Sequence, residues 1–257
     1  MADRKIVKVL IGIPDEGHTL PQAYDDRLTM FMHMGNLQTL SHFGEDTYCG
    51  VKFDIPENTE YQFSLAVVGQ VFPALAREVI ATRAVEYGFD WLFMIDDDML
   101  APANLFECLV KHDVDICAAL AFTRNAPHKP VLYNLETGYD EFKKERYYIN
   151  YPVISYPKDT LVECDAVGFG AVLIKVDVFR DMPKPWFMST SGAGEDIHFC
   201  HQARQHGYKV HMDTSVKLGH LGYPKVITEN TYEEEENINS VREVYGDINK
   251  YGSQNKD

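Results

Sequence analysis

Two rhythms of apolar positions run along this chain. The run IVKVLIGIP (6–14) predicts a first strand that stops at Pro14. Residues 15–60 are turn-rich and predict no firm element, and YQFSLAVV (61–68) predicts a second strand. The rhythm then lengthens. In GQVFPALAREVIATRAVEYG (69–88), Phe72, Ala76, Val79, Ile80 and Ala84 fall near one helical face, and Gly88 supplies a stop. WLFMI (91–95) is apolar on both alternating faces, as in a central parallel strand covered on both sides. APANLFECLVKH (101–112) predicts a short helix with Pro102 near its start, and DICAALAF (115–122) the next strand.

Residues 123–160 are rich in Tyr and Pro and read as irregular. LVECDAVGFGAVLIKVDVF (161–179) predicts a strand interrupted at Gly168 and Gly170 and then continued. EDIHFCHQARQH (195–206) predicts a helix closed by Gly207, followed by the strand YKVHM (208–212). The tail from Tyr223 carries EEEE (233–236) and ends in SQNKD, whose last residues are expected to fray. Strands alternating with helices predict an α/β fold in one domain: a mostly parallel, twisted sheet with helices on both faces. Ligands bind such sheets beyond the carboxyl ends of the strands. The run WLFMIDDDML puts Asp96, Asp97 and Asp98 at that end.

At 257 residues, 45% hydrophobic and 12% aromatic, the chain can bury the core of one large α/β unit. Its net charge of −15 argues against broad binding to a phosphate backbone and against adhesion to an anionic membrane, while leaving room for a locally basic groove. Cys49, Cys108, Cys117, Cys164 and Cys200 form no CxxC pair and are odd in number, which suits reduced thiols in an intracellular protein. The start MADRKIVKVLIGIPD lacks a signal-peptide pattern, and no apolar run approaches the roughly 20 residues of a membrane span. The expectation is a soluble, cytoplasmic protein.

Three adjacent carboxylates need an offset. Side chains alternate along an extended chain, so Asp96 and Asp98 point the same way. At about 5–6 Å and an effective dielectric of about 20, such a like-charged pair costs roughly 3 kcal/mol. A divalent cation held by one or two carboxylates, with positions left for phosphate oxygens, offsets this well. The plain alternative is a solvated acidic turn, although few such turns follow a five-residue apolar strand.

SGAGEDIHFC (191–200) places Glu195 and Asp196 at a helix start. There they serve either the helix dipole and cap or a general base delivered by a loop. VKLGHLGYP (216–224) carries His220, a surface or core histidine if taken alone and a plausible third ligand beside an acidic metal site. Gly168 and Gly170 in CDAVGFGAVLIK (164–175) suggest close approach by a ligand or by backbone, or a β-bulge.

Taken in order, WLFMIDDDM, VGFGAVLIK, GEDIHFC and GHLG resemble the nucleotide-sugar glycosyltransferases of the GT-A fold, especially the family-2-like enzymes. The similarity spans roughly 6–222 and is most specific from Trp91 to Gly222. It implies a GT-A domain over 1–222, with 223–257 as an acidic extension packing on it or trailing from it. The resemblance also implies roles. Asp96 and Asp98 would hold the metal, Mn2+ or Mg2+, with Asp96 also near the donor ribose. Three consecutive aspartates leave a shift of one residue open.

Asp97 would lie near the donor sugar. Pro14 and Asp15, where the first strand ends, would meet the nucleotide. Arg77 is a further candidate donor contact, or a solvated helix residue. His220 would be the third metal ligand, Asp196 the catalytic base, and Glu195 a holder of donor or acceptor hydroxyls. Trp186 and Phe187, in the segment MPKPWFMSTSGAG (182–194), would present a face to the acceptor if that segment closes over the site, with Gly168 on the same side. For Trp186, core packing is the alternative.

The activity implied is metal-dependent, inverting transfer of a hexosyl or pentosyl group from a nucleoside-diphosphate sugar, with a UDP-sugar favoured. The acceptor hydroxyl would belong to a glycan, a protein, a small molecule or, as in similar viral enzymes, a hydroxymethylated DNA base. RYYINYP (146–152) could stack such a base. A metal-dependent nucleotidyltransferase ranks lower, because no Gly-rich loop bearing Lys or Arg follows the first strand. A sugar- or nucleotide-binding module without turnover is the third reading.

Overall fold

The spine of the molecule is set by where its apolar residues alternate. The structure, a computed structural model, describes residues 4–15, 21–142, 144–190, 192–222 and 226–245. Strand β1 (Lys5–Asp15) is followed by helix α1 (Pro21–Phe43), strand β2 (Thr59–Gly69), helix α2 (Pro73–Glu86) and strand β3 (Trp91–Ile95). Next come α3 (Leu105–Val110), β4 (Ile116–Leu120), β5 (Leu132–Asp140), β6 (Glu145–Pro152), β7 (Leu161–Cys164) and β8 (Ala171–Lys175). The chain continues through α4 (Val176–Asp181), α5 (Glu195–Gln205), β9 (Val210–Lys217), α6 (Glu229–Glu233) and α7 (Glu235–Tyr245).

Seven strands form the central sheet in the order β7-β9-β4-β8-β3-β1-β2. Strands β2, β1, β3, β4 and β9 run one way, and β8 and β7 run against them. The sheet is thus mostly parallel, with the antiparallel β8 inserted between β3 and β4. Alternation then builds two cores. Leu10, Leu92 and Met94 face α2, α4 and α5. Val9, Ile11, Phe93 and Ile95 face α1 and α3. Each fully buried large apolar side chain contributes about 1.5–3 kcal/mol. All five residues of β3 are buried, as an apolar run covered on both faces requires. Gly12 lets α2 pack close, since a Cβ there would stand 2.5 Å from Ile80 Cγ2.

Several elements differ from the sequence expectation. The turn-rich region 15–60 contains the 23-residue α1. Its buried face, including Ala23, Met30, Met34, Leu37 and Leu40, has helical spacing. Tyr24, Leu28 and Met32 are exposed on other faces and blur the amphipathic signal. Within the irregular region 123–160, β5 and β6 pair antiparallel from Tyr133↔Pro152 to Asp140↔Glu145.

The interrupted strand 161–179 is four pieces. These are β7 at the sheet edge, the short strand Ala166–Val167 beside β5, β8 in the sheet, and then helix α4 where a strand continuation was expected. Gly168 sits at the break. A Cβ there would meet Val131 Cβ at 2.8 Å, and its N–H donates to the Val131 carbonyl at 2.8 Å. Among the described residues after 222, 226–245, part of the extension packs on the domain. Tyr232 stacks on Phe122 at 5.0 Å, and Val241 is fully buried in the same core as the α2 side of the sheet.

Candidate active site

Strand β3 ends at Ile95 and delivers Asp96, Asp97 and Asp98 beyond its carboxyl end. The Asp96 N–H donates to the Gly170 carbonyl at 2.9 Å, so the start of β8 fixes the first carboxylate's backbone. The short strand Met99–Leu100 then pairs with Gly219–Leu221, in the register Gly219↔Leu100 and His220↔Met99. The Leu221 N–H donates to the Asp98 carbonyl at 3.0 Å. This backbone pairing brings together two side chains 122 positions apart, with His220 Nε2 3.1 Å from Asp98 Oδ2. On the other ring nitrogen, His220 Nδ1–H donates to the Phe122 carbonyl at 2.7 Å. That bond turns Nε2 toward Asp98.

Helix α2 supplies Arg77 from the other side. Its Nη2 donates to Asp96 Oδ1 at 2.9 Å and its Nε to Glu195 Oε1 at 3.1 Å. The side chain is only 6% exposed, and the ring of Phe169 lies 5.6 Å from its Cζ. Burial works against the Arg77 charge, but the carboxylates of Asp96, Glu195 and Asp196 outweigh it and hold the guanidinium charged.

Helix α5 begins at Glu195, and the Ile197 N–H donates to Asp196 Oδ1 at 2.7 Å. Gly194 precedes it, where a Cβ would press on that same oxygen at 2.8 Å. Burial, with the neighbouring Glu195 charge, pushes the Asp196 carboxyl up to about 6 against the pull of Arg77. Burial likewise pushes Asp96 upward. Arg77 opposes that shift and the Asp98 charge adds to it. Asp98 goes the other way: burial would raise it, but its bond to His220 and the charges of His220 and Arg124 hold it below the usual carboxylate range.

The cleft of about 150 Å³ between these elements is lined by Pro14, Pro73, Arg77, the three aspartates, Arg124 and His220. It therefore gathers Pro14, Arg77, Asp96, Asp97, Asp98 and His220, all singled out from the sequence, with Glu195 joined to it through Arg77. Asp15 lies one residue past Pro14, paired in register with Gly69.

Two lining residues were not anticipated. Pro73 opens α2. Arg124 lies in the loop after β4, with Nη2 on Asp98 Oδ2 and Nε 3.4 Å from His220 Nε2. A usable signal existed for Arg124: it is a basic residue two positions beyond the apolar run DICAALAF, at the same sheet end as the aspartates.

The placement of three candidates on the acceptor side needs correction. Trp186 and Phe187 are 3% and 4% exposed. Phe187 stacks on Phe199 at 5.0 Å, and Trp186 meets Phe179 edge-on at 5.2 Å. Both of their backbone N–H groups donate to Glu78 Oε2, at 2.9 and 3.0 Å. Their rings are core, with no face left for a sugar or a base, and they anchor the middle of the segment expected to close over the site. Gly168 is buried against Val131 and not against a ligand surface. In RYYINYP, now strand β6, the side chains of positions 146 and 148 lie outside the described residues, as does Ser191 of the 182–194 segment.

Among the described residues, no group of three or more His, Cys, Asp or Glu is gathered as a ready metal cage. Asp98 and His220 nonetheless suit a small dication. Two ligands at about 2.1 Å and at right angles stand about 3 Å apart, as these two atoms do. Asp96 turns one oxygen to Arg77 instead. Such a pair leaves most coordination positions for water and phosphate. No helix among the described residues is long and apolar enough to cross a membrane.

No family model matches the chain, and no curated protein matches it. Among solved structures it is similar to A197 from STIV, with TM-score 0.46 and 16% identity over 84% of this chain and 86% of that one. It is also similar to GalNAc-T7, solved with UDP, GalNAc and Mn2+, with TM-score 0.46 and 11% identity over 83% of this chain and 43% of that one. A third is UDP-glucose pyrophosphorylase complexed with UDP-glucose, with TM-score 0.44 and 12% identity over 94% and 99% of the two chains. At these scores the likeness carries no functional weight, and the cleft's own residues must do so.

Proposed function

We propose that this chain is a metal-dependent glycosyltransferase. In this reading it transfers a sugar from a nucleoside-diphosphate sugar, a UDP-sugar first, to an acceptor hydroxyl with inversion. The observation that carries the reading is the Asp98–His220 pair, 3.1 Å apart at the carboxyl end of β3, with Asp196 next in the chain to Glu195, which Arg77 bonds, and within reach of the Arg77 charge. Asp98 and His220 would hold Mn2+ or Mg2+, which when bound supplies Lewis acidity and a template for the diphosphate.

The chain's own residues do the rest. Pro14 and Pro73 shape the wall on which the nucleotide lies. Arg77 fixes Asp96 and Glu195, so that neither needs to reorganise when the donor binds. Asp97 and Glu195 are assigned to donor and acceptor hydroxyls. Asp196 takes the proton of the acceptor hydroxyl as that oxygen bonds to the anomeric carbon and the bond to the diphosphate breaks. A carboxyl raised to about 6 is still mostly ionised at neutral pH and is a stronger base than an ordinary aspartate. Attack opposite the leaving group gives inversion. The acceptor remains one of the four classes above, a hydroxymethylated DNA base among them.

The test is calorimetric titration of UDP, GDP and other nucleoside diphosphates, with and without Mn2+, on the wild type and on Asp98→Ala. The expected result is metal-dependent binding of one nucleotide that the variant loses. Absence of binding under every condition overturns the reading. Release of pyrophosphate in turnover, in place of a nucleoside diphosphate, would move the assignment to a nucleotidyltransferase.

A further inference from the structure

Arg124 has no part in the chemistry just described, yet its guanidinium lies on both atoms assigned to the cation, Asp98 Oδ2 and His220 Nε2. We infer that Arg124 is an internal counter-ion that keeps the cation's place between Asp98 and His220, yields it to the dication, and then turns to the donor's diphosphate. This rests on the proposed function, because it concerns the same cleft.

Exclusion is the first step. A dication needs a lone pair from each ligand atom; the guanidinium engages that of Asp98 Oδ2 with an N–H and crowds His220 Nε2, whose lone pair exists only in the neutral imidazole, and it has none of its own to offer. The two cations therefore compete for one place. Cheap displacement is the second. The Arg124 side chain is 49% exposed against 17% for Asp98, so water reaches the pair from the arginine side and weakens it relative to a pair buried at both ends.

The loop around Arg124 is the third step, because it confines the motion to the side chain. Thr123 N–H donates to the Lys129 carbonyl at 2.9 Å, and Lys129 N–H donates to Thr123 Oγ1 at 3.1 Å, which closes 123–129 on itself. From α7, Asn237 Oδ1 accepts from the His128 N–H at 2.6 Å, and Asn237 Nδ2 donates to the His128 carbonyl at 2.8 Å. The C-terminal helices thus pin the loop that carries Arg124. A guanidinium released from Asp98 stays at the rim of the cleft. There a diphosphate offers the charge-assisted, bidentate acceptor that suits it.

The experiment measures Mn2+ binding alone, and then UDP binding at saturating Mn2+, by calorimetry on the wild type, Arg124→Gln, Arg124→Lys and Asp98→Asn. Removing an internal competitor raises apparent affinity by the inverse of the fraction of sites it had left free. Arg124→Gln is therefore expected to bind Mn2+ about fivefold more tightly and UDP about fivefold more weakly. Arg124→Lys, which keeps the charge but not the bidentate fork, should stay near the wild type for Mn2+ and fall between the wild type and Arg124→Gln for UDP. Two changes of opposite sign are what a merely structural residue does not produce. Mn2+ affinity unchanged or weakened in Arg124→Gln overturns the inference, while loss of Mn2+ binding in Asp98→Asn shows that the cation site of the parent reading stands. If the wild type and both Arg124 variants bind no Mn2+, or Asp98→Asn binds it like the wild type, the cation site itself is wrong and the inference falls with it.

Discussion

Arg77 and Arg124 each reach one end of the same three aspartates, and they are held in opposite ways. Arg77 comes from a helix, is buried, and bridges Asp96 and Glu195. Arg124 comes from a loop, is exposed, and meets Asp98 and His220. Burial decides what each can do. A buried guanidinium between two carboxylates is part of the framework, because moving it strands charge in a low dielectric. An exposed one is exchangeable, because water and ions can replace it at little cost. One acidic run thus has a permanent partner at one end and an exchangeable partner at the other.

The largest way to break this contrast is Arg77→Met. It leaves Asp96 and Glu195 without their cation and should cost about 3–5 kcal/mol of stability in urea denaturation at pH 7.5. Arg77→Lys should recover only part of this, since one ammonium cannot reproduce the Nε and Nη2 donors aimed at two separate carboxylates. A loss below about 1 kcal/mol for Arg77→Met would put both arginines in the exchangeable class.

Next comes Asn237→Leu, which leaves the buried N–H and carbonyl of His128 unpaired beneath the Arg124 loop. A buried polar group left unsatisfied costs about 1–3 kcal/mol. About 2 kcal/mol is expected here, read in the same denaturation assay. A value near zero would mean that the C-terminal helices do not pin the loop.

A smaller effect of opposite sign is expected from Asp196→Asn, on the Arg77 side. The folded Asp196 carboxyl titrates at about 6, above its ordinary value of 3.8, so the folded state binds that proton more tightly than the unfolded state. Its charge therefore penalises folding above pH 6, and the penalty is relieved as the pH falls through about 6. Asp196→Asn should raise the melting temperature at pH 7.5, and that gain should shrink toward pH 5. The same variant should lose transfer activity. A base of this kind also makes wild-type kcat/KM rise with pH through about 6 before levelling.

The strongest sequence signals were those carried by a local run. Five apolar residues followed by three aspartates place the carboxylates at a strand's end whatever the rest of the chain does, and β3 is that strand. Pro14 and Arg77 were named only on the family resemblance, and both line the same cleft as the aspartates. His220 stood out because its Gly-His-Leu-Gly run fits no amphipathic pattern, though its 3.1 Å approach to Asp98 depends on strand pairing across 122 positions.

What the sequence hid depends on tertiary contact. Trp186 reads equally well as a binding face or as core, and only the packing of Phe179, Phe187 and Phe199 decides for core. The hairpin of β5 and β6 is masked because Tyr- and Pro-rich runs carry weak alternation. Arg124 drew no reading from the sequence, because nothing local says that its loop is bound from α7.

The finest test of the contrast is a pair of double-mutant cycles, Arg124→Gln with Asp98→Asn and Arg77→Met with Asp96→Asn, run without metal. The Arg124–Asp98 coupling should be below about 1 kcal/mol, as for exposed pairs. It should fall further as ionic strength rises from about 0.05 M to about 0.5 M, where the Debye length shrinks from about 14 Å to about 4 Å. The Arg77–Asp96 coupling should be larger and less sensitive to salt, because the Arg77 guanidinium is buried although Asp96 faces the cleft. Both trends matter together. A salt-sensitive but large Arg124–Asp98 coupling would leave the guanidinium too firmly held for a dication to displace cheaply. A small and salt-insensitive one would mean that Arg124 does not reside on Asp98 in solution at all. Only the small, screened coupling is consistent with a side chain that holds a place for a stronger cation.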